Sequence, residues 1–181
     1  EDGIECDQGF FQTHGWDNKT PSRAVENLGT DFLFPEIKYK FHACCHGLHS
    51  FLEALEELKQ ENNFNPESIE EIAIETNPSW LKFCNIQEPK TGLESKFSYK
   101  LTAAMSIYGK DTADLETYND DICFDDKMNN IRDKVKVIPN DQLSNTQSLI
   151  SIKDGSRDIK NKHDLSDKID QNILETKIVN K

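Results

Sequence analysis

At 181 residues the chain has room for one ordinary domain, yet only 35% of it is hydrophobic against 30% charged, a lean supply for a core. Thirty-three acids against 21 bases give a formal charge of −12 with no long Lys/Arg run, which argues against nucleic acid and anionic membranes as partners. No stretch approaches the roughly 20 apolar residues of a membrane span, and the first thirty residues lack the basic start and apolar run of a leader, so a soluble protein is expected. Cys6, Cys44, Cys45, Cys84 and Cys123 are an odd set without framework spacing, which points to a reducing, cytoplasmic setting.

Along the chain, Glu5 to Thr13 reads as a short helix or helix end. Ser22 to Asn27 reads as another helical turn, with Pro21 near its start and Gly29 ending it. Phe32 to Tyr39 is expected to be extended. His46 to Gln60 is the clearest helix: Leu48, Phe51, Leu52, Leu55 and Leu58 share a face, and Glu53, Glu56, Glu57 and Lys59 lie mostly opposite. Ile69 to Thr76 alternates as a half-buried strand does. Glu94 to Tyr108 returns to helical spacing, with Gly109 as the stop. A short helix at Asp126 to Arg132 precedes strands at Val135 to Ile138 and Ser148 to Ile152. Asp154-Gly155 then favours a hairpin into Arg157 to Lys160. From Leu165 onward the pattern is helical again, with Asp164 or Ser166 able to cap it. The expected class is α+β, a small sheet with packed helices on one side, flanked by helical segments with little core of their own.

Chemistry concentrates in Lys40 to Leu55, KFHACCHGLHSFLEAL, where three imidazoles and two thiols stand within eight residues before an apolar helix. Three readings stay open. His42 with His46, and Cys45 with His49, are one helical turn apart and so able to share a metal, but no CxxC or HExxH completes a site and none is expected. Cys44 or Cys45 can be an activated nucleophile, or a small packing residue at a helix start. Finally, unpaired amides at the helix start, with Lys38, Lys40 and His42 just before it, can hold a carboxylate, although lysines in a strand are often only solvated.

Further motifs occur in a telling order. Gly9-Phe10-Phe11 and Asn27-Leu28-Gly29 come first, followed by Lys40-Phe41 with Cys44 or Cys45 and His49. Glu88-Pro89-Lys90-Thr91 then precedes Lys96-Phe97-Ser98-Tyr99, and Val135-Lys136-Val137 and Ser151 to Ser156 close the series. From about Phe10 to Lys181 this resembles the MmgE/PrpD family, which includes 2-methylcitrate dehydratase, cis-aconitate decarboxylase and iminodisuccinate epimerase.

The resemblance implies a cofactor-free lyase or isomerase for a small di- or tricarboxylate, a dehydratase first of all. It implies a helical main domain, an α+β lid and a homodimer. Residues 1–34 would be the tail of the main domain, 35–160 the lid, and 161–181 a helix returning to the main domain. Lys40, His42 and His49 are the substrate-binding residues it suggests, with Lys38 and His14 outside the site. The proton-transfer groups would lie upstream of Glu1, so this chain alone is expected to have no turnover. Some members place a tyrosine near the position of Pro78, where this chain reads Trp80-Leu81-Lys82-Phe83-Cys84. The competing readings are a non-catalytic binding or interaction module, and a decarboxylase or epimerase of the same family.

Overall fold

The computed structural model describes residues 9, 10, 13, 26–32 and 39–179. The expected helices at Glu5 to Thr13 and Ser22 to Asn27, the extended Phe32 to Tyr39, and the residues Lys38 and His14 lie wholly or mostly outside them. The chain divides into two units, Glu1–Tyr39 and Lys40–Lys181. In the first, residues 26–30 form a turn in which Asn27 (φ 62°) and Gly29 (φ 83°) take left-handed backbone. The Asn27 amide donates to Asp31 at 2.9 Å, which holds the turn from the side-chain side.

The second unit carries the sheet. A 3-10 turn at His46–Leu48 leads into α1 (His49–Glu61), followed by β1 (Ile69–Thr76), α2 (Pro78–Leu81), α3 (Gly92–Ser95), α4 (Tyr99–Ile107), α5 (Asp120–Phe124) and α6 (Asp126–Arg132). Then come β2 (Val135–Pro139), β3 (Gln147–Asp154), β4 (Arg157–Asp164) and α7 (Gln171–Val179). The strand order is β2-β1-β3-β4. β1 and β2 are parallel, so the chain from α2 to α6 forms the crossover that parallel pairing requires. β3 is antiparallel to β1 and joins β4 through a two-residue turn whose Gly155 has φ 59°, a value that favours glycine. The fold is α+β.

Period-two burial decides which face meets the helices. Ile72, Ile74 and Thr76 of β1 stand opposite Ile152, Ile150 and Ser148 of β3, and all six are buried. Ser148 bonds Ser50 of α1 and Thr76 bonds Tyr99 of α4, which fixes both helices on that face. Leu48, Phe51, Leu52, Leu55, Leu101 and Met105 complete the core, each such fully buried side chain contributing about 1.5–3 kcal/mol. The other face is polar, where Lys136 and Lys153 both pair with Glu71.

Three expectations need correction. The helix expected over Glu94 to Tyr108 is two, because Ser98 takes extended backbone and its hydroxyl caps α4 by accepting from Leu101 N at 3.2 Å. The last helix starts at Gln171 rather than near Leu165. Asp164 ends β4 instead, accepting from Ser166 N at 2.9 Å, and Asp170 performs the same service at the helix start by accepting from Asn172 N at 2.9 Å. Glu53, expected on the outward face, is buried.

Gly47 illustrates how tightly the entry to α1 is packed. A Cβ added there would meet Trp80 ring atoms at 2.6 and 2.7 Å and Cys84 Sγ at 3.0 Å. The indole is itself pinned by Nε1 donating to Asn145 O at 2.8 Å, so it yields poorly. Gly47→Ala is expected to lower unfolding stability by about 1–3 kcal/mol. An unchanged denaturation midpoint in urea would show that Trp80 is free to retreat.

Candidate functional site

Residues 40–49 are held in place from three directions. Ala43 N donates to Thr112 O at 2.9 Å, and Cys45 N donates to Lys96 O at 2.9 Å. The Tyr99 hydroxyl reaches Gly47 O at 2.7 Å. The expected anchor, a helix start preceded by basic residues, therefore rests on the loops around α3 and α4. One of its amides, that of Cys45, is already used.

Within this segment the polar groups separate into two clusters. In the first, His42 places Nδ1 at 2.7 Å from Thr112 Oγ1 and Nε2 at 3.2 Å from Glu53 Oε1. Burial works to raise the Glu53 carboxyl. Hydrogen bonds from His42 and Lys177, and their charges, outweigh it and hold the group at about 2. The carboxylate is thus ionised at neutral pH, so His42 Nε2 donates to it. Lys177 of α7 bridges the same carboxylate and stands 5.0 Å from the centre of the Phe41 ring.

The second cluster centres on the Cys44 carbonyl. Lys40 Nζ donates to it at 3.3 Å, and His49 also hydrogen-bonds the Cys44 backbone. His49 is 2% exposed and its Nε2 has no partner among the described residues. Burial lowers its pKa to about 3, with the charges of His42, His46 and Lys40 acting in the same sense and the Cys44 bond opposing them. The ring is neutral at physiological pH. With one nitrogen donating to Cys44, Nε2 presents a lone pair, so this imidazole accepts rather than offers a proton there. The His42 and His46 rings lie 5.2 and 5.3 Å from it, and His46 in turn meets Trp80 edge-on at 6.2 Å.

Two grooves flank the segment. One, of about 460 Å³, runs past His42, Glu53 and Lys177 and is rich in acids, including Glu56, Glu57 and Asp111. The other, of about 540 Å³, has Lys40 and Lys96 on its walls together with His42, Cys45, Phe97 and Leu115. Lys96 Nζ lies 5.7 Å from the centre of the Tyr118 ring. Among the described residues neither Lys40 nor Lys96 has a carboxylate partner. Mostly apolar walls with two cations suit an organic anion better than a metal, and among the described residues no three His, Cys, Asp or Glu side chains converge as metal ligands.

The model of the MmgE/PrpD C-terminal domain matches residues 42–171. The chain belongs to the MmgE/PrpD family. The match takes in α1 through β4 and the start of α7, and the family is one of generally lyase-like enzymes. No curated protein matches the chain. Among the described residues, no helix is long and apolar enough to cross a membrane.

Of the residues singled out from the MmgE/PrpD-like pattern, Lys40 and His49 meet at one carbonyl, and Lys40 and His42 line one groove. His49 itself is buried behind that surface. Trp80, in the segment that follows Pro78, packs on His46 and Gly47. Sequence reasoning missed Glu53, Thr112 and Lys177. Glu53 carried a signal, since it stands one helical turn after His49 and so shares its face. Thr112 and Lys177 lie 70 and 124 residues from the side chains they hold, with no local pattern to reveal them.

Proposed function

We propose that this chain is the C-terminal, substrate-covering part of a cofactor-free lyase that removes a proton from the carbon next to a carboxylate in a small di- or tricarboxylate, dehydration being the favoured outcome. The observation that carries this reading is the pair of lysines, Lys40 and Lys96, facing one groove without carboxylate partners among the described residues of a chain whose net charge is −12. In so acidic a chain, cations that stay unneutralised beside a cavity favour a negatively charged ligand.

Proton removal places negative charge on the oxygens of the adjacent carboxylate. Lys40 would stabilise that charge as it develops, and Lys96 would hold a second carboxylate. His49 stands behind Lys40 as the neutral partner of the same carbonyl and would support the site from beneath by holding the Cys44 backbone in place. His42 is tied to Thr112 and Glu53 and would act by keeping Phe41 and Ala43 in the groove wall. Proton transfer itself is assigned to groups in the remainder of the enzyme. A homodimer and a cytoplasmic location accord with this reading.

The test is kinetic. In the complete enzyme, Lys96→Gln should raise KM for a dicarboxylate substrate by about tenfold or more, while kcat falls less, as expected for a contact made in both ground and transition states. The exposed Lys82, exchanged for Gln, should leave both unchanged. If KM stays the same in Lys96→Gln, this groove is not where the carboxylates bind.

A further inference from the structure

Cys84 follows α2 and is completely buried, while Cys45 is half-buried on the wall of the lysine groove. Their Sγ atoms are 3.0 Å apart. Backbone hydrogen bonds fix both positions, Cys45 N to Lys96 O and Cys84 N to Trp80 O, each at 2.9 Å. A disulfide needs the sulfurs at about 2.05 Å, so closing one asks for a small side-chain rotation and no refolding. The adjacent Cys44 is engaged elsewhere, its thiol hydrogen-bonded with the Tyr118 side chain. Cys123 points to Thr91 O at 3.4 Å.

We propose that Cys45 and Cys84 form an oxidation site, in which a peroxide oxidises Cys45 from the groove and Cys84 resolves the product as an intramolecular disulfide. In the first step the Cys45 sulfur attacks a peroxide oxygen, the O–O bond breaks, and the products are a sulfenic acid and water (or an alcohol). In the second the Cys84 sulfur displaces hydroxide from that sulfur, and with the Cys84 proton it leaves as water. Two thiol groups are oxidised and one peroxide is reduced. Burial, with the neighbouring thiols, pushes the Cys84 thiol up, so it is not the first to react and serves only as the resolving group.

The placement gives the bond a consequence. Cys45 precedes the turn into α1 and follows Cys44, whose carbonyl takes both Lys40 and His49. The bridge would tie that segment covalently to the end of α2, protecting Cys45 from over-oxidation beside the groove. This inference stands on the thiol geometry and is independent of the proposed reaction.

The experiment is peptide mapping of the chain after a modest excess of hydrogen peroxide, alkylation of remaining thiols and digestion without reductant. The expected product joins the peptide holding Cys45 to that holding Cys84, lighter by two hydrogens than their sum and separated by dithiothreitol. Cys44→Ser should keep the bridge and Cys45→Ser should lose it with Cys84 left as a thiol. In Cys84→Ala, Cys45 should proceed to the sulfinic acid. Wild-type protein in which Cys84 is fully alkylated while Cys45 is over-oxidised, or a Cys45→Ser variant in which Cys84 is bridged to Cys44, would overturn the assignment.

Discussion

Replacing Lys40 by alanine in the complete enzyme is expected to lower kcat/KM by roughly 10² or more, about 2.7 kcal/mol of transition-state stabilisation. Lys40 reaches the groove from the residue before Phe41, and among the described residues its ammonium is held by the Cys44 carbonyl, a neutral partner that leaves the positive charge available. A charge-assisted contact in a partly desolvated groove is worth more than a surface pair, and it strengthens as the substrate carboxylate gains charge. The loss should therefore fall on kcat as well as on KM. Lys38→Ala, two residues earlier, should stay near wild type, because the resemblance in the sequence suggests Lys40 and not Lys38 as the binding residue. Steady-state kinetics of the two variants decide the matter. A large loss in Lys38→Ala with Lys40→Ala unaffected would place the anion site at Lys38 instead.

How much of this was readable before the fold was known follows from what each feature depends on. β1 at Ile69–Thr76 and α6 at Asp126–Arg132 have the expected bounds because their signals are local, an alternation of Ile with acids and an Asp-led apolar pattern. The helix over Glu94 to Tyr108 looked continuous because Phe97 and Leu101 keep helical spacing across Ser98, which periodicity alone cannot distinguish from a cap. α5 escaped notice since five residues are too few to show a period, although Asn119 caps it by accepting from Ile122 N at 3.0 Å. The site divides in the same way. Lys40, His42 and His49 stood out as an unusual run of residue types. Lys96 stood out only as part of a family motif, and its place across a groove from Lys40 is set by the Cys45 N to Lys96 O bond between distant segments.

Acid should unfold this unit through His49, with the stability loss beginning near pH 6.5. The folded ring has a pKa of about 3 against an ordinary 6.5, because burial and the charges of His42, His46 and Lys40 oppose a proton there. A lowered histidine costs nothing above pH 6.5, where both states are neutral. Below it the unfolded chain binds a proton that the folded one refuses, so stability declines as pH falls, until the folded ring titrates near 3. The slope approaches one proton, about 1.4 kcal/mol per pH unit, and across the window the loss is on the order of 4 kcal/mol. Glu53 acts lower. Its folded pKa of about 2 against an ordinary 4.5 gives stability that is complete above 4.5 and disappears as pH falls towards 2. Urea unfolding between pH 6 and 5 therefore isolates the histidine term. His49→Gln keeps an amide donor for the Cys44 carbonyl but cannot take up the proton, so its stability should be flat where the wild type slopes. An equally steep variant would mean that His49 is not the group behind the slope.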